Sequence, residues 1–234
     1  MPQNRKRRSI TRAEDLYSFS ALHPAETIAN LDKIPIRENH EAMVNLRDAC
    51  PHILVRPLNS SIKELRARAS VAQRLNEAQA FLKEHAAGHQ LVVVDAWRAT
   101  KQQTRWHVFA KIVIRLAHPF WPSELVREAA NKYVAAPDAV APPPHSTGGA
   151  IDLRLLGPEN RDLSMGPRRL ASCHMEYKRL SPAQRHNRRL LRSALEQAGF
   201  SNYEEEWWHW SYGDSGWALR TNQLYAFYGR WEED

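Results

Sequence analysis

The chain has 234 residues, 43% of them apolar, enough for one large domain or two small ones with a substantial core. Its longest apolar runs, such as Leu91-Val92-Val93-Val94, are far short of a membrane span, and Cys50 and Cys173 are too few for a disulfide framework. The net charge of +7 lies in scattered clusters at Arg5 to Arg8, Arg168-Arg169 and Arg188-Arg189, with no Lys/Arg stripe interleaved with aromatics, so a solvated basic surface is expected and a nucleic-acid partner is not.

No apolar h-region follows the basic start, so a cytoplasmic protein with reduced thiols is expected. Residues 1–33 are expected to form a basic lead-in, weakly ordered or peripheral. Residues 34–234 are expected to form one domain. Ile34-Pro35-Ile36 and Met43 to Leu46 read as edge strands, Pro35 confining the first to an edge. His52 to Val55 is a further short strand. Ser61 and Glu64 match a capping box, and Leu65, Val71, Leu75, Ala78 and Leu82 then recur on one helical face, with a stop at Gly88. Leu91 to Trp97 predicts a central strand. Thr100 and Gln103 open a helix that His118-Pro119 closes, and Ser123 starts a shorter one ending near Tyr133.

Ala135 to Pro144 holds four prolines and reads as a loop that delivers the chain to His145. Ala150 to Leu156 predicts a strand. Leu163 to Lys178 is a long irregular connection. Ser181-Pro182-Ala183-Gln184 combines a capping box with Pro at the first helical position, and Gly199 ends that helix. Trp207 to Tyr212 and Gln223 to Tyr228 read as aromatic-rich strands. Helices and strands mix without regular βαβ alternation, which predicts an α+β fold with a central, mostly antiparallel sheet flanked by helices.

Two stretches carry chemistry: His145-Ser146-Thr147-Gly148-Gly149-Ala150-Ile151-Asp152 and Glu206-Trp207-Trp208-His209. Gly148 and Gly149 permit a sharp turn, so that His145 and Asp152 can reach one ion, with His209 as the third ligand. Two imidazoles and a carboxylate leave a fourth position of a zinc ion open for water. Glu206 is then the candidate acid/base. On a regular strand, residues three apart face opposite ways, so Glu206 and His209 require a bulge or turn between them. A solvated acidic turn over Glu204 to Glu206 is the plainer alternative. Arg98, past the apolar strand in Asp95-Ala96-Trp97-Arg98, is placed to stabilise an oxyanion, with Asp95 orienting it or meeting a substrate amine. An ordinary Asp-Arg surface pair is the competing reading.

With these residues in hand, the chain resembles the VanX-type D-Ala-D-Ala dipeptidase family of zinc DD-peptidases. The family pattern S-x-H-x-x-G-x-A-x-D is met from Pro143 to Asp152, with Pro143 in place of Ser. E-x-W-H is met by Glu206 to His209, and D-A-[YW]-R by Asp95 to Arg98. Further similarity lies in Asn187 to Leu191 and in Trp207 to Asp214, so that the resemblance covers about residues 34 to 230. It implies a DD-peptidase/hedgehog-like fold and one Zn2+ per chain held by His145, Asp152 and His209. It also implies Glu206 as general base and acid, Arg98 as transition-state stabiliser, and water-driven cleavage of a small D,D-dipeptide. The segment Met165 to Leu170 lacks the acidic residue of the family's M-G-T-x-F-D-like motif. Cys173 nearby is expected to be a buried inert thiol. A DD-carboxypeptidase or cell-wall endopeptidase with the same zinc site, and a non-catalytic zinc-stabilised binding module, are the competing readings.

Overall fold

A computed structural model of the chain describes residues 26–58, 62, 64–131, 133–167 and 173–232. In chain order the elements are α1 (Ile28–Leu31), β1 (Met43–Asn45), α2 (Leu46–Ala49), β2 (Leu54–Val55), β3 (Arg66–Arg68), α3 (Ala69–His85), β4 (Gln90–Asp95), α4 (Thr100–Ala117) and α5 (Ser123–Asn131). A 3-10 turn (Pro144–Thr147) then leads into β5 (Ala150–Leu156), followed by α6 (Pro182–Gln197), β6 (Ser201–Asn202), β7 (His209–Ser211) and α7 (Ser215–Arg220). Five strands form the main sheet in the order β2-β4-β5-β7-β6. β2 runs parallel to β4, and the other pairings are antiparallel. β1 and β3 form a separate antiparallel pair. The expected α+β architecture with a mostly antiparallel sheet is the one observed.

Strand alternation divides the sheet into a core face and a site face. Leu91 and Val93 of β4, Ile151, Leu153 and Leu155 of β5, and Trp210 of β7 all enter the main core. There α3 meets them with Val71, Leu75, Ala78 and Leu82, and α6 with Leu191, Ala194 and Leu195. Each fully buried Leu of this kind contributes about 1.5–3 kcal/mol. The same alternation leaves Asp152, His209 and Ser211 on the opposite face. The β4–β5 ladder slips between Val93 and Asp95, so that Asp95 pairs with Asp152. The extra residue takes Asp95 off the core-face parity of Leu91 and Val93 and puts it beside Asp152.

Several expected elements take another form. The helix read from Ser61 starts at Ala69, because residues 66–68 stay extended to pair with β1; Ser61 itself lies outside the described residues. The helix opened at Thr100 and closed at His118 does form as expected, with Ala99 as an N-cap that makes no side-chain bond and Gln103 buried. The stretch from Gln223 to Tyr228 makes a single parallel bridge, Ile36 to Ala226, instead of a strand. Phe227 and Tyr228 both donate their amides to Gly213 O, which ends any ladder there. Their rings pack around Tyr212 instead. The box over Ser181 and Gln184 is formed as expected. Arg188, read as part of a basic surface cluster, is 2% exposed and donates to the carbonyls of Met165 and His174, so it ties down the long connection.

At the end of the expected lead-in, Thr27 caps α1 and Glu26 forms an ion pair with Arg220 of α7. Asp32 accepts the amide of Ala141 at 2.8 Å. Among the described residues, no helix is long and apolar enough to cross a membrane.

Candidate metal centre and its cavity

The prolines before His145 feed a 3-10 turn that ends at Gly148, whose φ of 73° is left-handed. At Gly149 a Cβ would stand 2.5 Å from the carbonyl oxygen of Tyr212, so only glycine allows this approach to the end of β7. Arg68 braces the turn from below, donating its Nε to Thr147 O at 2.8 Å and its amide to Gly148 O at 3.0 Å. The glycine pair thus does what its sequence context predicted.

His145, Asp152 and His209 converge on the site face, their ligand atoms all within 4.8 Å of one another. They are 5%, 5% and 7% exposed. Asp152 and His209 are register partners across β5 and β7, so the sheet itself sets their separation. Asp152 Oδ1 lies 3.3 Å from His145 Nε2 and 3.2 Å from His209 Nδ1. His145 Nδ1 is 2.7 Å from the carbonyl oxygen of Ala96. A carbonyl only accepts, so Nδ1 carries the hydrogen and Nε2 presents its lone pair to the site. Burial holds His209 below the usual imidazole range, which favours the neutral form that binds metals. Burial works to raise the pKa of Asp152; in the metal-free site, protonation of His145 or His209 beside it outweighs burial and holds the carboxyl well below the usual range.

This donor set fits a zinc ion. Bonds of about 2.0–2.1 Å in a tetrahedron separate ligand atoms by roughly 3.3–3.4 Å, close to the two N···O distances found. Two imidazoles and one carboxylate are ordinary zinc donors, and three protein ligands leave one position for a reactant.

Glu206 and His209 are joined by a tight turn in which His209 N donates to Glu206 O at 3.0 Å. The turn supplies the geometry that a continuous strand would have denied, since β7 begins only at His209. Trp207 and Trp208, buried in the main core, anchor it. Asn202 Nδ2 donates to both Glu206 O and His209 O. Glu206 is half-buried and lines the same cavity, about 450 Å³ in volume, as His145, His209 and Arg98. Tyr203 lies on this wall as well; burial and the carboxylates of Glu206 and Glu26 push its hydroxyl up and keep it protonated.

Arg98 is 8% exposed, buried well beyond a surface ion pair. Its Nε and Nη2 donate to Asp95 Oδ2 at 2.9 and 2.6 Å, its Nη1 to Gln103 Oε1 at 3.2 Å, and Trp106 stacks under it at 4.5 Å. The amide of Arg98 also donates to His145 O at 3.0 Å. Asp95 is 1% exposed and does not line the cavity; its Oδ1 accepts the amide of Ala96. Its carboxylate thus holds Arg98, the first of the two roles that the sequence left open. Gln103 was visible in the sequence only as part of a helix start. Glu26 and Ser215 on the cavity wall carried no motif, and Asp214 entered only as the end of the segment similar to the family. Cys173 is buried in the main core and is not among the clustered ligands. Arg168 to Leu170 lie outside the described residues.

A family model described as D-ala-D-ala dipeptidase, peptidase M15, matches residues 60–227. A D-alanyl-D-alanine dipeptidase of Synechocystis sp. is 32% identical over 194 residues, covering 70% of this chain and 78% of the relative. One of Enterococcus faecalis is 32% identical over 149 residues, covering 60% of this chain and 70% of the relative. Among solved structures, VanYB in complex with D-Alanine-D-Alanine is 15% identical with a TM-score of 0.44, over 73% of this chain and 92% of that one. The chain belongs to the D-Ala-D-Ala dipeptidase family, peptidase M15.

Proposed function

We propose that this chain is a zinc-dependent dipeptidase that hydrolyses D,D-dipeptides such as D-Ala-D-Ala into free amino acids. The observation that carries the reading is one cavity lined by His145, His209, Glu206 and Arg98, with Asp152 buried between the two imidazoles. His145, Asp152 and His209 would hold the zinc. When bound, zinc supplies a Lewis acid and makes water acidic enough to attack at neutral pH. The Glu206 carboxylate takes a proton from the attacking water and returns it to the nitrogen of the leaving amine. Arg98 faces the negative charge that develops on the carbonyl oxygen. Asp95 and Gln103 hold its guanidinium in place, so little reorganisation remains when the reaction occurs. One water is consumed, the C–N bond breaks, and two amino acids leave. A cytoplasmic location belongs to the same proposal, supported by two cysteines that are buried thiols.

The test is a comparison of substrates on zinc-loaded protein. Release of D-Ala from D-Ala-D-Ala, with the N-acetylated dipeptide rejected, is expected together with one zinc per chain. Faster cleavage of the blocked substrate would make it a carboxypeptidase. Tight zinc with no cleavage across a panel of D- and L-dipeptides would make it a binding module.

A further inference from the structure

Away from the cavity, one face of α4 has no role in the chemistry above. Its inner face packs on α5: Gln103 and His107 are buried, and His107 Nε2 lies 2.8 Å from Asn131 Oδ1. Arg115 reaches the same way, donating to Trp121 O and Ser123 Oγ. The opposite face is apolar and open. Phe109 and Leu116 are 67% and 77% exposed, Phe120 just past the helix is 97% exposed, and Val108, Ile112 and Val113 lie between 43% and 52%. An amphipathic helix of a globular protein buries its apolar stripe and turns charge to water. α4 buries one face and leaves an apolar stripe uncovered among the described residues.

The size of this stripe fits a protein interface. Its six side chains present roughly 600–700 Å², against about 300–600 Å² for the largest patch of a typical monomer and about 800 Å² per partner in a stable complex. Its spacing fits a second helix. Arg105, Phe109, Ile112 and Leu116 follow a 4-3-4 interval, the seam along which two helices pair. A helix lying on a membrane needs a strongly charged face opposite its apolar one, and in α4 that face is packed on α5.

Charge then sets the direction of pairing. α4 carries Lys101, Arg105, Lys111 and Arg115 and no carboxylate. Two such helices side by side in parallel would stack like charges at about 8–10 Å. An antiparallel pair centred near Ile112 and Val113 holds the two copies of Arg105 roughly 22 Å apart, well beyond the Debye length of about 8 Å. It also brings each Arg105 to the exposed Phe120 ring of the other copy, and each Lys101 towards the exposed Glu124.

We propose that α4 pairs antiparallel with α4 of a second copy of this chain, making the protein a two-fold symmetric homodimer. The pairing is independent of the dipeptidase reading. His145, Asp152 and His209 all come from one chain, so each subunit keeps a complete set of ligands.

Sedimentation equilibrium of the full chain tests this. The wild type should weigh two chains at micromolar concentration. Phe109→Glu and Leu116→Glu each put a charge into the seam, and two-fold symmetry counts it twice, so the dissociation constant should rise about 100-fold or more. Both side chains are exposed in the single chain, so zinc content and helical circular dichroism should stay as in the wild type. Oxidation reads the orientation: Ile112→Cys, next to the axis, should give a disulfide-linked dimer and Lys101→Cys none. A wild type that stays monomeric at about 100 µM, a Kd implying negligible pairing, overturns the proposal. So does a dimer that both Glu variants leave intact, or one that Lys101→Cys links as readily as Ile112→Cys. A monomer that floats with phosphatidylglycerol vesicles, and no longer does so as Leu116→Glu, overturns it too and makes the stripe a membrane contact.

Discussion

Two walls of one cavity are built by different means. The wall that carries the three clustered ligands is anchored in a strand ladder. Asp152 sits opposite His209 by register, Asp95 opposite Asp152 by a slip in the same ladder, and His145 is pinned by the carbonyl of Ala96. The remaining wall comes from a one-turn helix and its leading Glu26, the end of α5, the segment from Tyr133 to Pro144, and the start of α7. Hydrogen-bonded register fixes neighbours tightly, whereas segments that meet only at the surface vary easily. The candidate metal ligands are thus held by the sheet, and the rest of the cavity by what is laid against it.

Breaking the ladder wall should have the largest effects. Asp152→Asn should lose zinc and all turnover, because neither imidazole then has its charged partner, and metal analysis of the purified variant checks it. Glu206→Gln should keep one zinc while kcat falls about 10²- to 10⁴-fold, the usual contribution of a positioned general base. A variant that retains near-wild-type turnover would remove Glu206 from that role. Next in size is Arg98→Lys, which keeps the charge and loses the fork that Asp95 and Gln103 hold. kcat should fall about 10²- to 10³-fold, as for the loss of an oxyanion donor, with KM little changed. Asp95→Asn should cost less than Arg98→Lys, since Gln103 and Trp106 still brace the guanidinium. If Asp95→Asn instead raised KM and spared kcat, Asp95 would belong to substrate binding after all.

The same division explains what the sequence disclosed. The ladder wall was legible because zinc chemistry restricts its residue types and spacing. His145 and Asp152 flank a glycine pair that nothing larger could replace, and the slip at Val94 leaves Asp95 in an otherwise apolar run. The strand from Gln223 to Tyr228 was misread because β propensity came from aromatics that serve a ring cluster with Tyr212. Tertiary packing decided that segment, as it often does where propensity comes from bulky side chains. Glu26 was illegible for a different reason. A single Glu in a basic lead-in has no periodicity and no motif, and only the fold shows that it pairs with Arg220, 194 residues later in the chain.

The smallest effect sets the two walls against each other through protons. In the metal-free protein, burial keeps His209 below its ordinary 6.5. Below about pH 6.5 the unfolded imidazole takes up a proton that the folded one refuses, so stability falls on acidification. Glu26 behaves in the opposite sense. Its pKa is raised from 4.5 to about 7, so the folded state binds the extra proton between those values, and its contribution is lost as pH rises through 7. Where both act, below about pH 6.5, the two slopes oppose, and the thermal midpoint of the wild type should vary less with pH than either slope alone would make it. Glu26→Gln removes one slope and leaves the other, so its midpoint should climb more steeply with pH across that window. His209→Gln should do the reverse, falling as pH rises. Melting curves of the three metal-free proteins from pH 4.5 to 7.5 read this directly. Parallel profiles in all three would mean that neither group carries the linkage, and that the walls differ in construction without differing in electrostatics.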